Sequence, residues 1–237
     1  MLMDVLVLVH DDAPSRGARM VGSLRPAFEA AGHQVRFASF VGAGPRPPAD
    51  PAGLRALVVM GSSAAAYDDG VPWLADELEY LRTAVDAGTP VLGVCFGGQA
   101  LARVLGGVVT RAAAGEHGFT AVESSSELLP AGPWMEFHSD TFTVPPDARE
   151  LARTPDAVQA FVCGPHLGLQ FHPEIDPDSF AAWRESWALT GIDAEIAAAG
   201  VPVAEMAAEI EARAAEAAAR CAALVGSFLS LSAAVEV

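Results

Sequence analysis

Cys95 carries the first chemistry. It stands in Thr89-Pro90-Val91-Leu92-Gly93-Val94-Cys95-Phe96-Gly97-Gly98-Gln99, where a buried-strand pattern runs into a cysteine framed by glycines and then into a helical segment. A sharp strand-to-helix turn that exposes a nucleophile is strained and lies close to neighbouring chains, so glycine is needed on both sides. The helix expected over roughly residues 97–105 aims its free N–H groups and positive dipole end at the sulfur, a setting that favours thiolate. Downstream, Leu169-Gln170-Phe171-His172-Pro173-Glu174 reads as an apolar strand ending in a histidine and, two residues on, a carboxylate. Together they suggest a Cys/His/Glu triad.

Those residue types define a reaction. A thiol attacks a stable carboxamide when it is deprotonated and the developing oxyanion is neutralised. His172 would act as base toward Cys95 and then as acid toward a departing amine, with Glu174 fixing the tautomer and stabilising the imidazolium. The backbone N–H of Phe96 would be one oxyanion donor. The turn after the third strand, Gly61-Ser62, would supply another, because neighbouring parallel strands converge at one carboxyl edge.

The elements that must position these groups are legible in the first half of the chain. Strand-length apolar runs alternate with helix-length segments, the pattern of a parallel sheet covered on both faces. Residues 5–9, 34–40, 56–60 and 91–94 are expected strands; 14–31 and 71–87 are expected helices, the first closed by Gly32 and the second stopped by Gly88 and Pro90. Beyond the Cys95 helix come shorter segments, at 108–111, 119–123, 135–137, 141–144, 160–163 and 167–171. They read as partly antiparallel strands, which makes the sheet mixed. From about residue 178 the chain is helical, and 203–231 offers Met206, Ile210, Leu224 and Phe228 for one apolar face.

Composition narrows the function classes. The chain has 237 residues and a formal net charge of −16, with arginine as its only strongly basic residue type. That balance argues against a nucleic-acid surface, which needs clustered basic groups. The apolar excess is mostly alanine, and short of the roughly 18 consecutive apolar residues of a membrane span, so a soluble cytoplasmic protein without membrane partners is expected. Three cysteines, Cys95, Cys163 and Cys221, fit a reducing compartment, the last two in structural roles. Zinc-binding CxxC and HExxH patterns are absent, and neither a metal nor another cofactor is expected.

The chain resembles the class I, triad-type glutamine amidotransferases, in particular stand-alone proteins similar to the amidotransferase domain of GMP synthase. The resemblance rests on Val58-Val59-Met60-Gly61, Tyr67-Asp68-Asp69, Gly93 to Gln99, Leu105-Gly106-Gly107, His138-Ser139-Asp140 and Gln170 to Glu174. It implies a flavodoxin-like α/β fold, with an open, mainly parallel mixed sheet, helices on both faces and a C-terminal helical extension. Residues 1–190 would form the amidotransferase-like domain, and 191–237 a helical extension packed on it. It also implies that Cys95, His172 and Glu174 are the triad, that Gln99 helps to hold a substrate glutamine, and that His138-Ser139 contributes backbone contacts to it. Ammonia would pass to a separate synthetase.

Two departures bear on the site. Gly61-Ser62-Ser63 stands where the family commonly has Gly-Gly-Pro, and Ser139 stands where a glycine often follows the histidine. A backbone donor does not depend on its side chain, so Ser62 can still serve. Two other functions share these residues: hydrolysis of other γ-glutamyl amides or peptides by the same triad, and a regulatory protein with an idle triad. Trp73, Trp134, Trp183 and Trp187 are expected in packing roles, with a substrate gate as the alternative for one of them.

Overall fold

The computed structural model describes residues 4–124 and 126–233. Strand β1 (Asp4–Leu8) is followed by helices α1 (Pro14–Met20) and α2 (Leu24–Ala30), then β2 (Gln34–Ala38), β3 (Ala56–Val59), α3 (Leu74–Asp86), β4 (Val91–Val94) and α4 (Phe96–Val104). The second half contributes β5 (Val109–Ala121), β6 (Glu123–Ser124), β7 (Pro133–Phe142), β8 (Arg149–Arg153), β9 (Val158–Cys163) and β10 (His166–Leu169). Helices α5 (Pro177–Thr190), α6 (Ile192–Ala198) and α7 (Val203–Ala233) close the described chain.

Among the described residues the main sheet runs β2-β1-β3-β4-β10-β9-β8-β6. Its first five strands are parallel, in flavodoxin-like order, and β9, β8 and β6 extend it antiparallel. Alternation along the strands feeds two cores. Val5 and Val7 point with Val58 toward Leu24, Phe28 and Phe228, while Leu6 and Leu8 point with Leu57 and Val59 toward Leu74, Leu81 and Leu101. Helices therefore cover both faces. Phe28 is fully buried, edge-on to Phe228 of α7, and truncating such a side chain to alanine costs about 3–5 kcal/mol.

The structure corrects two expectations. The single helix expected over 14–31 is two, because Gly22 takes a left-handed turn (φ +47°) between α1 and α2. The expected strands at 108–111 and 119–123 are largely one long strand, β5, with a register shift between Arg111 and Glu116; 135–137 and the start of 141–144 likewise merge into β7. These two pair as a separate ribbon instead of joining the main sheet. Val203–Leu231 is long and apolar enough to cross a membrane by length and composition. Within it Met206, Ile210, Cys221, Leu224, Val225 and Phe228 are buried against the rest of the chain, and 33% of its most apolar stretch is buried.

Candidate active site

Cys95 sits at the junction of β4 and α4 with φ +52°, the one non-glycine residue with positive φ among those described. Left-handed backbone at a cysteine is a local cost that the surroundings must impose. They do so by close packing of backbone on backbone. A β-carbon on Gly97 would overlap the carbonyl of Val59 in β3, one on Gly98 the carbonyl of Leu169 in β10, and one on Gly93 the carbonyl of Gly97. The Cys95 N–H donates to Leu169 O at 2.9 Å, which pins the turn from the other side. The glycine frame thus lets α4 start directly above two strand ends, with Cys95 at its N-cap position.

His172 and Glu174 follow β10, next to β4. His172 N–H donates to Met135 O of β7 at 2.7 Å, and its Nδ1 lies 2.7 Å from Glu174 Oε1. The carboxylate is buried, and its backbone carbonyl accepts the Ser23 N–H at 2.9 Å, from the turn that splits α1 from α2. A β-carbon on Gly22 would overlap that same carbonyl. The helix break therefore has a purpose in the architecture: it seats the loop that carries Glu174.

Burial opposes charge on the His172 imidazole, but the charge of Glu174, the adjacent Cys95 and the hydrogen bond to Glu174 raise its pKa well above the usual value. Nε2 makes no hydrogen bond of good geometry at rest, the sulfur leaning toward Phe137 O at 3.9 Å while Gln170 Nε2 lies 3.7 Å from it. The influence of Cys95 on the ring is nonetheless that of an adjacent group. Such an imidazole can take the thiol proton and hold it as imidazolium.

Gly61 borders this pair. A β-carbon there would stand 3.2 Å from His172 Cε1 and 3.8 Å from Cys95 Cβ, so the loop after β3 runs against both residues. Ser62 turns its hydroxyl inward, where Oγ accepts the Ala64 N–H at 3.1 Å. Phe96 is the first residue of α4, its ring buried in the core below.

Gln99 and His138 both line the cavity at Cys95. The Gln99 amide donates to Gln170 Oε1 at 3.3 Å and to Asp140 O at 3.4 Å. His138 is more constrained: Nδ1 lies 3.0 Å from Asp140 O, and Nε2 lies 3.1 Å from Glu116 Oε2 and 3.3 Å from Glu136 Oε2. Both nitrogens face oxygens, with Nε2 set between the two carboxylates. Burial alone would lower its pKa, but hydrogen bonds to Glu116 and Glu136 and the nearby charges raise it to about 9. The three side chains bring potential metal-ligand atoms within 4.8 Å of one another.

The cavity has a volume of about 370 Å³ and extends from Cys95, past Ser139 and Asp140, to α5 and α6. Its far wall includes Trp183, Trp187 and Ile196. The Trp183 ring stands edge-on to His172 at 4.6 Å, and Trp187 stacks on Phe137 at 4.9 Å, so these two tryptophans border the Cys95 cavity while Trp134 packs in the core on Phe171. Tyr67 reaches toward Asp140, 3.5 Å away, and Asp69 pairs with Arg103 at 2.6 Å. Asp68 caps its own turn through the Gly70 N–H. Cys163 lies apart from the cavity, as does Cys221, whose thiol burial holds strongly neutral.

Sequence reasoning did not find Glu116, Glu136, His10 or Glu77, and it quoted Gln170 without assigning it a role. Glu116 faces His138 directly across the β5–β7 ribbon, a register that two long strands in sequence would have exposed.

Comparisons with known proteins bear on the family and the fold. The sequence model of the family described as "Glutamine amidotransferase class-I" matches residues 52–182. The GMP synthase [glutamine-hydrolyzing] of Thermosynechococcus vestitus is 35% identical over 132 residues, 51% of this chain and 23% of that protein. The enzyme of the same description from Mycobacterium tuberculosis is 36% identical over 130 residues, again 51% of this chain and 23% of the other. The match thus spans about a quarter of those curated relatives. Among solved structures, a glutamine amidotransferase from Thermotoga maritima superposes with a TM-score of 0.81 at 23% identity, covering 97% of this chain and 99% of the other. One from Methylobacillus flagellatus gives 0.80 at 23%, covering 98% and 96%. At that identity the likeness is one of fold.

Proposed function

The chain belongs to the class I glutamine amidotransferases, and on that premise we propose that it hydrolyses the side-chain amide of glutamine through a thioester on Cys95. The observation that carries the reading is the buried Glu174–His172 pair beside a cysteine held in a left-handed elbow. The Cys95 sulfur attacks the carboxamide carbon, and the carbonyl electron pair moves to oxygen. That oxyanion accepts hydrogen bonds from the N–H groups of Phe96 and Ser62 at the edge of Gly61. Collapse expels ammonia, which takes its proton from His172, and leaves the glutamyl thioester. Water then gives a proton to His172 and its oxygen to the acyl carbon, releasing glutamate and the thiol.

Gln99 and the His138-Ser139 segment border the space for the amino-acid end of the substrate. Ammonia passes to a separate synthetase. Residues 1–190 form the amidotransferase unit and 191–237 its helical extension, and a reducing cytoplasm suits the three free cysteines. The chemistry just described needs no cofactor. Ammonia release from glutamine by the wild-type protein and by Cys95→Ser tests the reading: loss of turnover on substitution is expected, and retained full activity would overturn the triad.

A second reading is favoured by the cavity. Its roughly 370 Å³ and tryptophan-lined wall are in the range of pockets for molecules larger than an amino acid, so larger γ-glutamyl amides are the competing substrates. Comparing turnover of glutamine with that of γ-glutamyl peptides separates the two.

A further inference from the structure

His10 lies at the end of β1 and does not enter the mechanism above. Its side chain is almost wholly buried, yet it borders the Cys95 cavity. One nitrogen, Nδ1, lies 2.9 Å from the backbone oxygen of Gly61. The other, Nε2, lies 2.9 and 3.1 Å from the two oxygens of Glu77, itself buried in α3. A carbonyl only accepts hydrogen bonds, so Nδ1 carries a proton, and Nε2 beside the Glu77 carboxylate is placed to hold a second one as an imidazolium charge. Burial disfavours that charge, but Glu77 and the two hydrogen bonds outweigh it and raise the pKa above its usual value. The ring is also clamped sideways, stacked on Trp73 at 5.1 Å and edge-on to Phe96 at 4.9 Å.

The partner of Nδ1 gives this arrangement its meaning. The Gly61–Ser62 peptide is trans, as are the other described peptide bonds, so its C=O and N–H point in opposite directions. Fixing the Gly61 carbonyl on His10 therefore fixes the direction of the Ser62 N–H. A β-carbon on Gly61 would stand against His172 and Cys95, and Phe96, against which the His10 ring rests, carries the other proposed oxyanion donor. A Gly-Ser-Ser turn lacks the stiffness a proline would give it, so an outside strap on the peptide plane has something to do.

We propose that His10, held by Glu77 and clamped by Trp73 and Phe96, is a positioning residue that orients the Gly61–Ser62 peptide as an oxyanion donor for acyl transfer at Cys95. The proposal rests on the acyl-transfer reading of the site but not on glutamine as the substrate. His10 contacts no reacting atom. Its effect is confined to steps that develop an oxyanion, and alkylation of the same sulfur, which develops none, is independent of it.

That difference defines the experiment. Wild type, His10→Ala and His10→Asn are compared in three measurements: acylation of Cys95 by p-nitrophenyl acetate, alkylation of Cys95 by iodoacetamide, and ammonia release from glutamine. The asparagine amide can replace Nδ1 as donor to Gly61 without the charge. Thermal unfolding identifies the folded fraction of each variant. Loss of one oxyanion donor lowers kcat by about 10²- to 10³-fold, and a misaimed donor is expected to lower acylation about 10- to 100-fold on the same scale. Alkylation should stay within about twofold of wild type, and His10→Asn should recover part of the acylation rate. Failure of glutamine turnover in wild type, with ester acylation still dependent on His10, would remove the glutaminase reading and leave this one standing. Acylation by folded His10→Ala at the wild-type rate, or equal losses in acylation and alkylation, would overturn the proposal.

Discussion

Gly22 and Glu174, far apart in sequence, meet at one backbone oxygen. The Glu174 carbonyl occupies the space a side chain on Gly22 would need, and it accepts the N–H of the next residue, Ser23, at 2.9 Å. A helix on the far side of β1 is thus broken in order to hold the segment that orients His172. The first prediction follows. Gly22→Ala adds a left-handed penalty of about 1–2 kcal/mol to a direct overlap, and should lower the melting temperature by at least about 3–6 °C for a chain of this length. It should also lower kcat with little change in KM, because the displaced group is Glu174. Calorimetry and steady-state kinetics on the one variant check both.

Glu174→Gln keeps the shape of the carboxylate and removes its charge. The raised pKa of His172 is sustained by that charge together with Cys95, so the variant's imidazolium gives up its proton more easily. The basic limb of the pH profile of kcat/KM should move to lower pH, and the rate at the optimum should fall by about 10²-fold or more. A basic limb unchanged in Glu174→Gln would show that Glu174 does not sustain the charge.

His138 gives a stability prediction with a defined sign. Its pKa is raised from 6.5 to about 9 in the folded protein, against burial, by Glu116, Glu136 and the charge of Cys95. A raised pKa contributes stability that is complete below the unfolded value and is lost as pH rises through the folded one. Thermal stability should therefore decline between about pH 6.5 and pH 9 through this residue. His138→Gln should flatten the decline and lower stability most at the acid end of the window. Melting temperatures of both proteins across that range read the difference.

The three cysteines should differ sharply in reactivity. Cys221 is fully buried and held neutral, and burial and Asp147 also raise the pKa of the Cys163 thiol. Limited alkylation followed by peptide mapping should find Cys95 modified first. Prior modification of Cys163 would contradict the placement of the reactive thiol.

What the sequence revealed and what it hid divide along physical lines. The elbow was legible because its cause is local: Gly93, Gly97 and Gly98 must be glycine where strand and helix backbones touch. The parallel half of the sheet was legible because its buried strands are continuous apolar runs. Pairings across the fold were not. Glu116 meets His138 only through the β5–β7 register, and that register crosses an irregularity between Arg111 and Glu116 that broke the strand pattern. Glu77 reads as an ordinary charge on an amphipathic helix, yet it is buried with its carboxylate on His10. Gly22 and Ser23 looked like tolerable helix interior, since nothing nearby in sequence announces that the Glu174 carbonyl will claim that turn.

The central claim is that glutamine acylates Cys95. Wild-type protein mixed with glutamine and quenched in acid within the first turnovers should carry the mass of one glutamyl group on the peptide containing Cys95. The adduct should be labile to hydroxylamine, as a thioester is, and absent from Cys95→Ser. Steady ammonia release with no glutamyl group on Cys95 at any quench time, and undiminished in Cys95→Ser, would contradict it.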